Sequence, residues 1–410
     1  MSPAAVTPIR RRTIQRVRER LERQTELDWL RGLMLVLMTI THLPTWFSSH
    51  VGQPFGFVSA AEGFVFLSAY LVGSVYSGTA LRHGFVAMRN AIWRRAAKVY
   101  AAQVALLLLL FWVLLPYATS QGAHAITDLA SFYAERPHTA LVSALALAYN
   151  PPLLDILPMY VLFMLASPLL LEYGWQRGWG PLIGLSAAMW LLSQHDGGRD
   201  IYGYFAGIVG WPVPYNQTGA FAFLAWQLLW VAGLRAGALH VQEAQGGEPR
   251  TAWSRPVLWT ATALAVGFFA WRHITGQVPF GDHGSLNALF DKWHLGPMRL
   301  LNFAVLAILA VHGRRWLVAV AQRSSIATLG RASLTVFAAH LVLCLTLLAS
   351  GETALDSQHV SLLDGTLLAG TLVTLYAIAR ATLGGSKLIA RWTTVAPPKA
   401  AADVSARAVR

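Results

Sequence analysis

The chain has 410 residues, 55% of them hydrophobic and only 12% charged, whereas a soluble domain carries about a quarter charged residues. This balance excludes an ordinary soluble fold and points to lipid. The net charge of +13 suits an anionic membrane surface rather than nucleic acid, because no nucleic-acid module is present and the basic residues sit between apolar stretches.

In chain order, the N-terminal segment 1–28 comes first. It places Ile14, Val17 and Leu21 at helical spacing among Arg10, Arg11, Arg12, Arg16, Arg18 and Arg20, the pattern of a basic amphipathic helix on the cytoplasmic surface. The first apolar stretch then runs into Pro44, Trp46 and Phe47 rather than a small-residue cleavage site, so it is expected to stay as a membrane span. Apolar stretches between charged and Gly/Pro breaks predict spans near 29–48, 57–77, 99–116, 157–172, 180–195, 218–234, 256–271, 299–312, 326–348 and 362–380. The expectation is an all-α polytopic membrane protein of about ten transmembrane helices, with a membrane domain over 29–380 and room for a re-entrant piece in 117–156. The basic tail 381–410, rich in Ala and Pro, is expected to be disordered.

Charge placement tests that topology. With the N-terminus cytoplasmic, only Arg136, Arg199, Arg272, Lys292 and Arg299 of the 32 Lys/Arg fall outside, and Arg331 falls within a span. So lopsided a split fits an even number of spans, both termini cytoplasmic and a bacterial inner-membrane location. Cys344 is the single cysteine and lies in an apolar stretch, which leaves no intrachain disulfide and no thiolate zinc site.

Ionisable groups inside a bilayer are costly and usually face a cavity, so each marks a candidate site. The first span places Asp28 and Arg31 near its cytoplasmic start and His42 eleven residues beyond Arg31, about 16 Å further along a helix. Glu62, near the outer end of the second span, is expected at a similar depth to His42. An imidazole beside a carboxylate can act as general base toward a hydroxyl; alternatively, His42 bonds a helix carbonyl, and Asp28 with Arg31 forms an i,i+3 ion pair. Arg89, Arg94, Arg95 and Lys98, with Tyr100 beside them, have the chemistry to clamp phosphates of an acyl-CoA, or serve only as topology signal. In the ninth span Arg331 is placed to hold an anion, and His340 is either a second polar group of the reaction chamber or a core histidine. From the outer side Asp155, Tyr160, Asn216, Trp226, Gln227, Asp291, Lys292 and Arg299 are candidates to line an acceptor path, although interfacial Trp and Tyr are common in any case. No metal site is read from these residues.

The segments LDWLRG with His42, FGFVSAAEGFVFLSAYLVGSVY, RRAAKVY, YNPPLLDILPMYVLFMLASPLLL, DKWHLGPMRLLNF and LGRASLTVFAAHL resemble the OpgC family, the membrane succinyltransferases of osmoregulated periplasmic glucans, and more broadly the acyltransferase 3 superfamily. The resemblance covers nearly all of 26–380. It implies succinyl-CoA as a cytoplasmic donor, a periplasmic glucan hydroxyl as acceptor, no bound cofactor, His42 as the essential intramembrane histidine and Arg31 as the motif arginine. The sequence departs from the family at Ala69, where Gly is usual, and at Gln103, where His is common.

The resulting mechanism has His42, supported by Glu62, deprotonating a glucan hydroxyl during attack on a thioester delivered from the cytoplasm, with Arg331 or a neighbour steadying the anion. A covalent acyl-enzyme on Ser68 is a variant of it. Two other readings stand beside it: an O-acetyltransferase of another surface polysaccharide, and a proton-coupled transporter, which would also need buried His, Glu and Arg.

Overall fold

The computed structural model describes residues 24–393 other than 52, 196, 247–252 and 352–359. Among the described residues the chain is built of helices without strands. The expected N-terminal amphipathic helix and most of the C-terminal tail lie outside the described residues.

Helix α1, Thr25–His42, opens with Glu26 and Asp28 in its first turn, where carboxylates meet the positive end of the helix dipole. It stops because Leu43 precedes Pro44, whose ring pushes the residue before it out of helical geometry; Leu43 sits at φ −68°, ψ 132°. His42 is thereby the last helical residue. A short helix α2, Phe47–Val51, follows. Helix α3, Ala60–Leu109, passes through a π-helical turn at Leu110–Leu114 into α4, Leu115–Gln121, and is broken in its interior only at Gly84, φ 83°. Two expected spans, 57–77 and 99–116, therefore belong to one 62-residue helical stretch, and the basic segment between them is helical rather than a loop. Short helices α5, His124–Leu129, α6, Ser131–Glu135, and α7, Pro137–Leu145, fill the segment where a re-entrant piece was anticipated.

Next come α8, Ile156–Arg177, α9, Gly180–Ser193, α10, Gly197–Val209, α11, Phe223–Ala244, and α12, Arg255–Thr275. After the short α13, Gly284–Asn287, the chain forms α14, Pro297–His312, and α15, Arg314–Arg323, bent by 76° at Gly313. The expected ninth span is divided at Ala332 into α16, Ile326–Arg331, and α17, Ser333–Ala349; α18, Leu362–Thr393, follows.

By length and composition four helical stretches can cross a membrane: Ala60–Gln121, Ile156–Arg177, Arg255–Thr275 and Leu362–Gly385. A fifth is added if the bent α14–α15 pair is one span. The remaining expected spans are helical but shorter or more polar: α9 has 14 residues, about 21 Å, against a hydrocarbon core of about 30 Å, and α1 carries Glu26, Asp28 and Arg31. Large apolar side chains point outward from the long helices, among them Trp112, Leu169, Trp259, Val266 and Val373, as a lipid-facing surface requires. This is a helical membrane protein.

Two contacts hold the bundle where the site lies. Helices α3 and α11 approach backbone to backbone: a Cβ on Gly237 would overlap the Tyr70 carbonyl, and one on Gly73 the Leu234 carbonyl. Gly233 and Gly237 form the small-xxx-small spacing that permits such approach where the hydrophobic effect gives helices no reason to associate. Helix α1 is pressed equally closely against α16, with Gly330 over the Asp28 carbonyl and Gly32 over the Ile326 carbonyl.

Candidate functional site

Two cavities lie toward opposite ends of α1. The larger, about 560 Å³, is lined by Asp28 and Arg31 from α1, Ser68 and Tyr76 from the first half of α3, Arg82 and Arg95 around the Gly84 break, Tyr160 from α8 and His240 from α11. Arg31 bonds the Ser333 hydroxyl and lies 6.0 Å from the Phe64 ring. Ser68 is buried, with no hydrogen-bond partner for its hydroxyl among the described residues.

The smaller cavity, about 150 Å³, holds His42. Its walls come from the C-terminal end of α1, from Ser59, Ala60 and Ala61 at the start of α3, from Leu153, Asp155, Ala220 and Phe221, and from Lys292, Trp293 and Phe337. Leu153 has φ 69° and Leu295, close by, φ 51°, left-handed conformations that bulky residues adopt only where their surroundings impose them. Between the cavities runs a file of rings: Phe64 stacks on Phe337 at 5.8 Å, and Phe337 meets His340 edge-on at 4.9 Å.

His42 Nδ1 is hydrogen-bonded to His340 Nε2 at 3.1 Å, the rings stacked with centroids 5.4 Å apart. Donation from His42 Nδ1 to His340 leaves His42 Nε2 free to accept a proton, whereas donation from His340 Nε2 leaves it protonated; in the first arrangement His340 orients the ring as a general base needs. This is the orienting role expected of Glu62. The Glu62 carboxylate is instead fully buried and engaged elsewhere: one oxygen accepts from the Ser59 N–H at 3.0 Å and from the Ser59 hydroxyl, a capping box at the start of α3, and the other pairs with Arg299. Asn302 completes this junction by accepting from the Phe57 N–H at 2.9 Å.

The loop 291–296 between α13 and α14 is held by donors from the end of α9 and from α11. Trp226 Nε1 donates to the Trp293 carbonyl at 3.0 Å, Gln194 to that of His294 at 2.6 Å and Trp190 Nε1 to that of Leu295 at 2.9 Å. Asp291 accepts from the Trp293 and His294 N–H groups and from His294 Nδ1 at 2.6 Å. Burial raises the Asp291 carboxyl, but these donors outweigh it and hold it below the usual carboxylate range.

A family model described as OpgC protein matches residues 23–384. The chain belongs to the OpgC family. Membership makes it a membrane acyltransferase. No curated protein and no solved structure matches the chain.

In this OpgC chain the expected residues divide into groups. His42 and His340 meet, and Asp155 and Lys292 join His42 at the smaller cavity; Asp155 also accepts the Ala220 N–H at 2.9 Å. Asp28, Arg31 and, from the basic cluster, Arg95 line the larger one. Tyr160, expected on the acceptor side, lines this larger cavity instead, edge-on to Trp230. Arg89 lies over the Trp93 ring, Arg94 and Lys98 are exposed, and Tyr100 donates to the Leu145 carbonyl. Arg331 is exposed at the end of α16 and lines neither cavity, so the expected anion-steadying position is not where it stands.

Several expected acceptor residues are structural in their contacts: Trp226 and Asp291 build the 291–296 loop, Gln227 donates to the Ser186 and Leu224 carbonyls, and Arg299 pairs with Glu62. Asn216 is exposed on a 3₁₀ turn. Ser68, considered as a nucleophile, stands in the larger cavity and not beside His42. Sequence reasoning missed Arg82 and His240, which line the larger cavity. Arg82 is seven residues before Arg89, the first of the basic cluster, and His240 is three residues past Gly237 of the pair that presses α11 onto α3.

Proposed function

We propose that this chain transfers a succinyl group from cytoplasmic succinyl-CoA to hydroxyls of a periplasmic glucan. The larger cavity, with Arg31, Arg82 and Arg95 on its walls, has the chemistry to receive phosphates of the donor, and the thioester arm follows the Phe64–Phe337 file toward the smaller cavity. There a sugar hydroxyl attacks the thioester carbonyl carbon while its proton passes to His42 Nε2. The carbon–sulfur bond then breaks and the departing thiolate takes that proton back from the imidazolium, leaving an ester and free CoA. The observation that carries this reading is the pairing of His42 with His340 at the wall of a cavity separated by α1 from a second, basic one.

Purified protein in liposomes, given succinyl-CoA and a neutral glucan, is expected to release CoA together with succinylated glucan. A positioned general base contributes about 10²–10⁴-fold, so His42→Ala is expected to lose activity on that scale. His340→Ala is expected to lose less and to change the pH–rate profile, because it alters the tautomer and basicity of His42 without removing it. Undiminished CoA release by His42→Ala, or solute flux with no CoA release, overturns the proposal.

A further inference from the structure

Lys292 is the basic residue on the wall of the smaller cavity whose position is unexplained by the bundle's own packing. Its backbone is fixed through the bonds that Trp190, Gln194, Trp226 and Asp291 make to residues 293–295, while its half-buried side chain lies with Nζ 4.5 Å from the Trp293 ring and 5.9 Å from Phe221. Among the described residues no carboxylate stands within 4.0 Å of that ammonium. Glu62 is committed to Ser59 and Arg299. Asp155, on the same cavity wall, has one oxygen engaged by the Ala220 N–H. Two ring faces favour a cation at this spot, but they leave the three N–H donors of the ammonium directed to something else. The carboxylates that act on this ammonium, Glu62 and Asp155, do so from beyond 4.0 Å, which leaves room for a direct ionic partner among the groups that enter the cavity.

We infer that Lys292 determines donor specificity by pairing with the free carboxylate at the far end of a short dicarboxylic acyl group. The inference rests on the acyl-transfer reading above. In that reaction the sugar hydroxyl and the thioester carbonyl are both neutral before attack, so the only anion the reactants bring into this chamber is a carboxylate carried by the acyl chain. Size agrees: a cavity near 150 Å³ has room for a four-carbon dicarboxylic acyl group. Lys292 is thus a specificity residue, distinct from His42 as base.

The test compares kcat/KM for succinyl-CoA with that for butyryl-CoA, which has the same chain length and no charge, in wild type, Lys292→Met and Lys292→Arg. Removing one partner of a desolvated charge pair costs about 30-fold or more in kcat/KM. The expected result is a wild-type preference for succinyl-CoA. Lys292→Met is expected to lose about 30-fold with succinyl-CoA and about 3-fold or less with butyryl-CoA, and Lys292→Arg to keep the preference. An equal loss with both donors overturns the inference, since it assigns Lys292 to the oxyanion that both reactions share; so does a Lys292→Met enzyme that still prefers succinyl-CoA, or a wild type with no preference. Absence of CoA release from either thioester by wild type sinks the acyl-transfer reading itself, and is distinguishable because no ratio is then obtained.

Discussion

At the scale of single residues, Glu62 shows how a carboxylate can be assigned to chemistry when its contacts belong to folding. Its depth relative to His42 was legible from helix rise alone, and the two do lie near the same end of the bundle. The tetrapeptide Ser59-Ala-Ala-Glu62 also carries the capping-box pattern before an apolar run, and that local signal describes what the side chain does. Its other partner, Arg299, is 237 residues away, a separation over which no periodicity speaks. The Glu62–Arg299 pair is buried on both sides, so removing one member leaves an uncompensated charge at a cost of about 3–5 kcal/mol, whereas replacing both by apolar residues of similar volume is far less harmful. Glu62→Met and Arg299→Met are therefore each expected to lower the unfolding temperature in detergent markedly, and the double variant to recover most of the loss. A Glu62→Met protein as stable as wild type would show that the pair does not hold α3 and α14 together.

At the scale of elements, helix ends were more legible than helix continuity. Pro44 ends α1 at His42 by steric rules that can be read from sequence, six residues short of the expected end of the first span at 48. The run RNAIWRRAAKVY reads as a loop because its charges interrupt hydropathy, yet it contains no proline or glycine, and its residues sustain a helix from Phe85 to the π-helical turn. Close approach was also hidden: Gly32 and Gly330 each look like isolated glycines until α1 and α16 are brought together.

That contact carries a prediction. A methyl group on Gly330 would occupy the space of the Asp28 carbonyl, so Gly330→Ala has to part α1 from α16 and disturb Arg31, whose guanidinium bonds Ser333 just beyond. Gly84→Ala meets nothing within 4 Å and suffers only from its backbone conformation, φ 83° and ψ 168°, about 1–3 kcal/mol. Gly330→Ala is expected to reduce the yield of folded, monodisperse protein severely, and Gly84→Ala mildly, when both are compared by size-exclusion chromatography. Equal yields would mean that the α1–α16 contact is not close in the membrane.

At the scale of the whole molecule, the proposed chemistry requires the two cavities to open to different compartments. Arg31 and His42 stand at opposite parts of an 18-residue helix, about 16 Å apart by helix rise, and α1 carries the larger cavity at one end and the smaller at the other. In the proposed orientation the exposed basic face around Arg89, near the larger cavity, is cytoplasmic, and the exposed loop containing Asp282, which leads into the Lys292 wall, is periplasmic. The distribution of Lys and Arg along the sequence argues for the same sidedness. Cys344 is the only cysteine and is buried in α17, so a Cys344→Ala background gives a clean reporter. On intact spheroplasts a membrane-impermeant maleimide is expected to label Asp282→Cys at once and Arg89→Cys only after permeabilisation. Labelling of both from outside would place the two cavities on one face, and a reaction that brings a cytoplasmic thioester to a periplasmic hydroxyl would then have no route through this fold.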